Sequence, residues 1–395
     1  MKKHHLIIIT ALLLTASTHL SAQIKTTDFK ARVDVTTLKY PSGVCIADID
    51  GDGKKDVIIA NGAAGSVTVF RNTVAANGDI ANTSFEAGVS FLTQGSALES
   101  LIVADMNQDG LPDILGNSYN GTSLYIFRNT STPGTISFAT RTNIAMGYTS
   151  HSLAIGDING DGKPDLATVN GDAGTVTIFR NTSTTAAISF TSYSMTVGGN
   201  LTGVALADLD GNGKIDMAIL AHDRALLSIY RNVAANANID ANTFAARQDI
   251  ATEVGAHAMA AADLNADGKP DLAITNVGDK PTVSVLRNTS VSGTISLATQ
   301  VNFGTSVNPL SIKLIDINGD SKPEIVIGSW TNTGALFVLQ NNTSGGNVIF
   351  YPPFTLPTGS NPQGLDIADM NADSKPDIVT ANSYSGTFSV LQYKP

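Results

Sequence analysis

The sequence predicts an all-β protein, a seven-bladed β-propeller of four-stranded antiparallel blades closed by the N-terminal strand pairing into the last blade. Three observations carry this expectation. A nine-residue pattern, Asp-x-Asp/Asn-x-Asp/Asn-Gly/Ser-x-x-Asp/Glu, occurs seven times, opening at Asp48, Asp105, Asp157, Asp208, Asp263, Asp316 and Asp369. The openings lie 57, 52, 51, 55, 53 and 53 residues apart, a period that marks one structural unit stacked repeatedly. Each unit carries four short segments of period-two alternation, rich in Val, Ile, Thr and Phe, between Gly, Asn and Asp turns. That is the pattern of strands, with no helical periodicity beside it.

The chain opens with a targeting segment. Lys2 and Lys3 precede an apolar run from Leu6 to Ala16, and Ser21-Ala22 forms a small-residue cleavage site. Residues 1–22 thus read as a signal peptide, 23–27 as a short lead and 28–395 as one propeller. The expected location is secreted, periplasmic or on the cell surface. No stretch reaches the roughly 20 apolar residues of a membrane-spanning helix.

Within a unit, an apolar residue about 19 positions before the acidic loop opens the outer strand of the preceding blade. These residues are Phe29, Phe85, Phe138, Phe190, Phe244, Leu297 and Phe350. An alternating run then leads into the loop, as in Ser152-Leu153-Ala154-Ile155-Gly156, and another leaves it, as in Asp165-Leu166-Ala167-Thr168-Val169. A third ends in Phe70-Arg71-Asn72 and its counterparts. Four-stranded sheets repeated at this period are propeller blades. Phe29-Lys30-Ala31-Arg32-Val33-Asp34-Val35 matches Phe244-Ala245-Ala246-Arg247-Gln248-Asp249-Ile250, an outer strand, whereas the C-terminus stops after a third strand, Phe388-Ser389-Val390-Leu391. The first strand therefore completes the seventh blade, and closure removes two free sheet edges.

The acidic loop has the spacing of a calcium site. Calcium takes six to eight oxygens, and positions 1, 3 and 5 of the loop converge on one interior point as at the start of an EF-hand loop. Position 7 offers a carbonyl and the acid at position 9 closes the shell. The first four sets are Asp48, Asp50, Asp52, Asp56; Asp105, Asn107, Asp109, Asp113; Asp157, Asn159, Asp161, Asp165; and Asp208, Asp210, Asn212, Asp216. The last three are Asp263, Asn265, Asp267, Asp271; Asp316, Asn318, Asp320, Glu324; and Asp369, Asn371, Asp373, Asp377. Position 6 is Gly in five copies, for the tight turn, and Ser321 or Ser374 in the last two, where weaker binding is expected, as with Asn212 in the fourth loop. Up to seven calcium ions follow. Lysines at position 7, such as Lys163 and Lys214, are expected to trim the remaining charge.

Charge and cysteine content narrow the function classes. The loops hold 22 of the 34 acidic residues and seven of the 24 basic ones, leaving 12 acids against 17 bases elsewhere. The net charge of −10 is therefore local to the loops, and no basic track for nucleic acid exists. Cys45 is the single cysteine. It sits in an alternating apolar run and reads as a buried thiol, so packing, strand closure and metal must hold the fold.

On these loops and their period, the chain resembles the bacterial branch of the FG-GAP (VCBS-type) calcium-loop propellers, and is similar in architecture to the integrin alpha-subunit head. The resemblance covers about residues 28 to 395 and implies metal ligands at positions 1, 3, 5 and 9 of each loop. It also implies extracellular binding or adhesion, although some related propellers are lyases or parts of toxins. Two departures stand out: no literal Phe-Gly-Gly-Ala-Pro stretch occurs, and all seven units carry the loop.

A ligand is expected on the ring face opposite the calcium hairpins, where loops break the common pattern of Asn170-Gly171-Asp172-Ala173-Gly174-Thr175. They do so at Tyr119, at His222-Asp223-Arg224, at Trp330 and at Tyr384. His151, His257 and Glu99 sit at the channel end of inner strands. No nucleophile elbow, zinc-binding His pair or phosphate-binding glycine loop appears. The leading expectation is a monomeric, secreted calcium-binding module for an extracellular glycan or protein. The alternatives are a calcium-dependent polysaccharide lyase on a propeller scaffold and a passive assembly subunit. A lyase needs a base and a cation converging on one cleft, whereas seven metals spread around a ring suit a scaffold.

Overall fold

A computed structural model describes residues 23–93, 98–118, 121–146, 149–332 and 334–394. Seven four-stranded antiparallel sheets follow one another along the chain. Blade 1 runs from an inner strand, Pro41–Ala47, through Asp56–Asn61 and Ser66–Phe70 to an outer strand, Val89–Leu92. Blades 2 to 6 repeat this order, with inner strands Leu98–Ala104, Ser152–Gly156, Leu201–Ala207, Ala256–Ala262 and Pro309–Ile315. Blade 7 takes Pro362–Ala368, Asp377–Asn382 and Thr387–Leu391 from the C-terminus and its outer strand, Val33–Thr36, from the N-terminus. Val33 pairs with Val390 and Val35 with Phe388, so the ring closes as the repeat alignment predicts.

The second and third strands of every blade are almost wholly buried, which is why they read as near-continuous apolar runs. Seven clusters fill the spaces between sheets, such as that joining Val57, Ile59 and Phe70 to Val379 and Phe388 across the seam. Aromatic edge contacts lock the same seam, with Phe388 5.0 Å from Phe70 and 5.3 Å from Phe85. The inner strands of all seven blades line a central channel cavity of about 320 Å³.

One expectation about strands is corrected. The Phe29, Phe85, Phe138, Phe244, Leu297 and Phe350 positions do not open outer strands. Each forms a single bridge, Phe85 to Asn72 for example, after which the chain leaves the ladder before the outer strand begins. Only Phe190 opens one, Phe190–Thr196, because in blade 3 the pairing continues without interruption from Asn181↔Phe190 to Thr175↔Thr196.

Candidate metal centres and a candidate ligand face

The acidic loops connect first and second strands, so all seven lie on one face of the ring. Their local geometry is uniform. The first Asp of each loop accepts the position-6 backbone N–H with one oxygen, at 2.9 Å from Gly53 and 2.7 Å from Gly213. Its other oxygen accepts the position-5 N–H, at 3.1 Å from Asp52. Ser321 and Ser374 make the same bond at 2.7 Å, with φ near the glycine value. The serine loops therefore keep the turn.

Position 4 is a feature that pattern reading missed. It too is left-handed, through Gly51, Gly160, Gly211 and Gly319, but also through Gln108, Ala266 and Ala372 at φ 59, 59 and 58.

The position-9 acids are fully buried. Asp56 accepts the Ile49 N–H at 2.9 Å with one oxygen and the Asn72 N–H at 2.9 Å with the other. The arrangement recurs in every blade, down to Met370 N–H and Tyr393 N–H on Asp377. Burial raises these acids, Asp113, Asp165, Asp216 and Asp271 to about 6, Asp56 and Asp377 to about 7, and Glu324 to about 8. A buried carboxylate raised by desolvation is one that a cation would return to its charged form.

The third position explains its own alternation between Asp and Asn. Where it is Asp, its outer oxygen accepts a backbone N–H from the next blade: Gly134 to Asp50 at 2.8 Å and Gly293 to Asp210 at 3.1 Å. Where it is Asn, in four of five loops the amide donates to a carbonyl of the next blade: Asn107 to Thr185 at 2.9 Å, Asn159 to Ala237 at 2.8 Å, Asn265 to Gly346 at 3.4 Å and Asn371 to Gly78 at 2.9 Å. In these loops the residue at position 3 matches what the neighbouring backbone presents, whereas the Asn318 amide turns to Asp320 at 3.3 Å.

Residues at positions 1, 3, 5 and 9 fit a bound dication on two observations. Asp48, Asp50 and Asp56, and likewise Asp208, Asp210 and Asp216, bring carboxylate oxygens within 4.8 Å of one another. In loops with Asn at position 3, the buried Oδ1 atoms of Asn107 and Asn371 have no hydrogen-bond partner, although buried polar atoms are normally satisfied. An all-oxygen donor set of this kind suits calcium or magnesium.

Two charged groups behave otherwise than the pattern implies. The position-7 lysines turn to backbone carbonyls of their own blade, Lys163 to Ser183 at 2.6 Å and Lys269 to Ser290 at 2.7 Å. The arginine after the third-strand aromatic faces the loop instead. Arg71 pairs with Asp50 and Asp52, both at 2.6 Å, offsetting the extra acid of the first loop. Arg180 and Arg231 stand 3.8 Å from Asp161 and Asp210.

The Asn that follows that arginine, or Gln340 in blade 6, was legible as a repeat but not as a function. Asn72, Asn129, Asn181, Asn232, Asn288 and Asn341 each donate to the position-2 carbonyl of the preceding blade's loop, from Asn72 to Met370 at 2.7 Å to Asn341 to Leu264 at 2.8 Å. Each also donates to the position-8 carbonyl of its own loop. Tyr393 replaces it in blade 7 and packs on Phe29, ring centroids 5.2 Å apart.

On the opposite face, Trp330 and Tyr384 come together. The indole N–H donates to the Tyr384 hydroxyl at 3.2 Å, and Tyr384 meets Tyr40 edge to face at 6.3 Å. All three stay more than half exposed, at 57%, 51% and 54%. Tyr40 was not singled out in the sequence because it lies before the inner strand, in a connection without a repeat motif. Its φ of 53 is uncommon for a bulky residue. His222, Asp223 and Arg224 form a short turn on blade 4 and are engaged locally: His222 Nδ1 lies 3.0 Å from the Ala256 carbonyl, and Asp223 accepts the Asn200 N–H at 2.7 Å. Arg224 lies over Gly198 and Gly199. Tyr119 lies outside the described residues.

The channel holds a third polar group. His151 Nδ1 lies 3.4 Å from a Glu99 oxygen, which raises the imidazole, while His257 is lowered by burial and sits 3.2 Å from the Leu310 carbonyl. Cys45 Sγ is 3.4 Å from the Leu101 carbonyl, and burial pushes the thiol up to about 12.

A seven-bladed propeller with one acidic hairpin per blade defines the class. Residues 48–116, 105–168, 157–219 and 263–327 match the FG-GAP-like repeat, together more than half of the chain. The protein belongs to the FG-GAP-like repeat family. No curated protein matches the sequence. Similar solved structures include the crystal structure of BBS1N in complex with ARL6DN soaked with lead, at TM-score 0.58 and 13% identity over 91% of this chain and 94% of that one. The same complex soaked with mercury gives TM-score 0.61 and 12% identity over 93% and 97%. At that identity the likeness concerns the fold.

Proposed function

We propose that this chain is an exported, calcium-stabilised propeller that binds a protein partner through the face opposite its acidic loops, centred on Tyr40, Trp330 and Tyr384. The observation that carries the reading is that Tyr384 contacts both Trp330 and Tyr40, three aromatics each more than half exposed, drawn from blades 6 and 7 and the link into blade 1. Trp and Tyr dominate the energetics of protein interfaces, and hydrogen-bonded aromatics arrive already ordered. The left-handed Tyr40 adds weight, since strained residues gather at functional positions. The BBS1N propeller, related in fold, was crystallised with a protein partner, which supports a protein ligand over a glycan. Calcium fits the loops as scaffold: the acids ring the opposite face and converge on no common cleft.

The test is a screen of the secreted-size protein against protein and glycan arrays, followed by Trp330→Ala and Tyr40→Ala. Loss of a protein ligand by about tenfold or more in either variant, with calcium content and melting temperature unchanged, supports the proposal. Retention of a glycan alone, or unaltered binding by both variants, contradicts it.

A further inference from the structure

Blade 3 has an outer edge unlike the others. Among the described residues its outer strand, Phe190–Thr196, spans seven residues and pairs over all seven with Thr175–Asn181, whereas the other six outer strands span four. It is last in its sheet, with a partner on one side only. Its sequence, Phe-Thr-Ser-Tyr-Ser-Met-Thr, has no charge, no Pro and no Gly. Natural sheets blunt their open edges with short strands, charges, prolines or bulges. The other outer strands are all short, and three add a charge or a proline, Asp34 of blade 7, Asp249 of blade 4 and Pro357 of blade 6, whereas those of blades 1, 2 and 5 rely on length alone. On blade 3 these devices are absent.

A groove flanks this strand on each face. One, of about 360 Å³, is lined by Tyr193 and Met195 together with Tyr230, Phe244 and Arg247 of blade 4. The other, of about 280 Å³, is lined by Phe190 and Ser192 together with Ile144 of blade 2 and Phe179. Alternate residues of one strand thus border two different grooves, as the period of two requires. The first groove also carries two charges, Asp240, which accepts the Asn242 N–H at 2.7 Å, and Arg247, which is tied to Asp249 at 3.1 Å and to the Val197 carbonyl at 2.6 Å.

We propose that this edge is a strand-addition site, taking an extended, apolar segment of a partner protein as a fifth strand of blade 3. The free main-chain groups of an open edge supply affinity and the flanking grooves select alternate side chains, which is how added strands are recognised. The occupant's chemistry follows from the lining. Grooves floored by Phe, Tyr, Met and Ile accept large apolar side chains on both faces of the incoming strand, the smaller one with no charge in its lining and the larger one with Asp240 and Arg247 already engaged within the chain. A second copy of this chain fits less well: an antiparallel pairing centred on Tyr193 sets Ser192 against Ser194 and Phe190 against Thr196, so the smaller groove, bordered by Phe190 and Ser192, faces only Thr196 and Ser194. The inference is independent of the aromatic face and of metal.

The test uses the full mature chain with calcium and a capped peptide of alternating Val and Phe flanked by lysines. Amide hydrogen exchange should slow by about tenfold or more within residues 190–196 when peptide is added, and the same peptide N-methylated at alternate residues should give no protection. Ser192→Lys and Ser194→Lys, both at exposed positions, should each weaken the peptide by about tenfold or more without lowering the melting temperature. Trp330→Ala should leave peptide binding unchanged. The proposal is overturned if residues 190–196 gain no protection, if the N-methylated peptide binds as well, or if sedimentation shows that the edge pairs with a second copy that the peptide does not displace.

Discussion

The Asn129 side chain donates to the Ile49 carbonyl of the preceding blade at 2.8 Å, while the Ile49 N–H is held by Asp56, the closing acid of the first loop. One peptide unit on each side of Ile49 therefore ties a candidate metal centre to the next blade. Six of the seven blade junctions carry this link. The loops are in this sense part of the ring's framework rather than appendages on it.

Replacing Asn129 by Ala strands the buried Ile49 carbonyl and the partly buried Pro112 carbonyl, and frees the buried Ser131 N–H. Buried groups left unpaired cost about 1–3 kcal/mol each. Denaturant unfolding of Asn129→Ala should show a loss of at least about 2 kcal/mol. A midpoint within error of the parent would mean that water replaces the amide without cost and that the junction is not held this way.

Left-handed backbone at Ala372 and Ala266 is a local strain that a glycine would relieve. An L-residue pays roughly 1 kcal/mol for that region, offset partly by the entropy that Gly adds to the unfolded chain. Ala372→Gly should be neutral to stabilising by up to about 1 kcal/mol. A destabilised variant would show that the Ala methyl makes a contact worth more than the strain.

The period, the acidic hairpins between first and second strands and the closing strand were legible in the sequence because each depends on residues near one another in the chain or on a pattern repeated seven times. What escaped depends on neighbours far away in sequence. At position 3, Asp50 meets the Gly134 N–H of the next blade and Asn107 meets the Thr185 carbonyl, partners 84 and 78 residues away. The meeting of Tyr40 with Tyr384 joins the two ends of the chain. The position of Phe190 as a true strand start, unlike its six counterparts, depends on an uninterrupted ladder that no local propensity distinguishes.

The seam gives a further test. Val33–Thr36 covers the third strand of blade 7, and the Ser389 hydroxyl donates to Asp34 at 2.6 Å. Deleting residues 24–35 should expose that edge, and light scattering should then show aggregation or a broadened unfolding transition. A monomeric deletion variant with the parent's unfolding curve would contradict the closure's contribution to stability.

Stability without metal should depend on pH in a defined direction. The position-9 acids have folded pKa values of about 6 to 8, above their ordinary values near 4. A group raised on folding stabilises fully below its unfolded pKa, and that contribution is lost as pH rises through the folded value. Calcium-free protein should therefore lose stability between about pH 4 and pH 8, and calcium should flatten the dependence by holding the acids as carboxylates. A melting temperature in chelator that does not fall over this window would show that the buried acids are not stressed.

The most direct measurement is the calcium content of the purified chain together with its melting temperature before and after chelation. Seven loops of common geometry predict between about four and seven ions per chain, and a melting temperature that falls on chelation and recovers with added calcium. Fewer than about two ions, with the same melting temperature in chelator, would contradict the account: the loops would then be acidic turns held by their own backbone bonds.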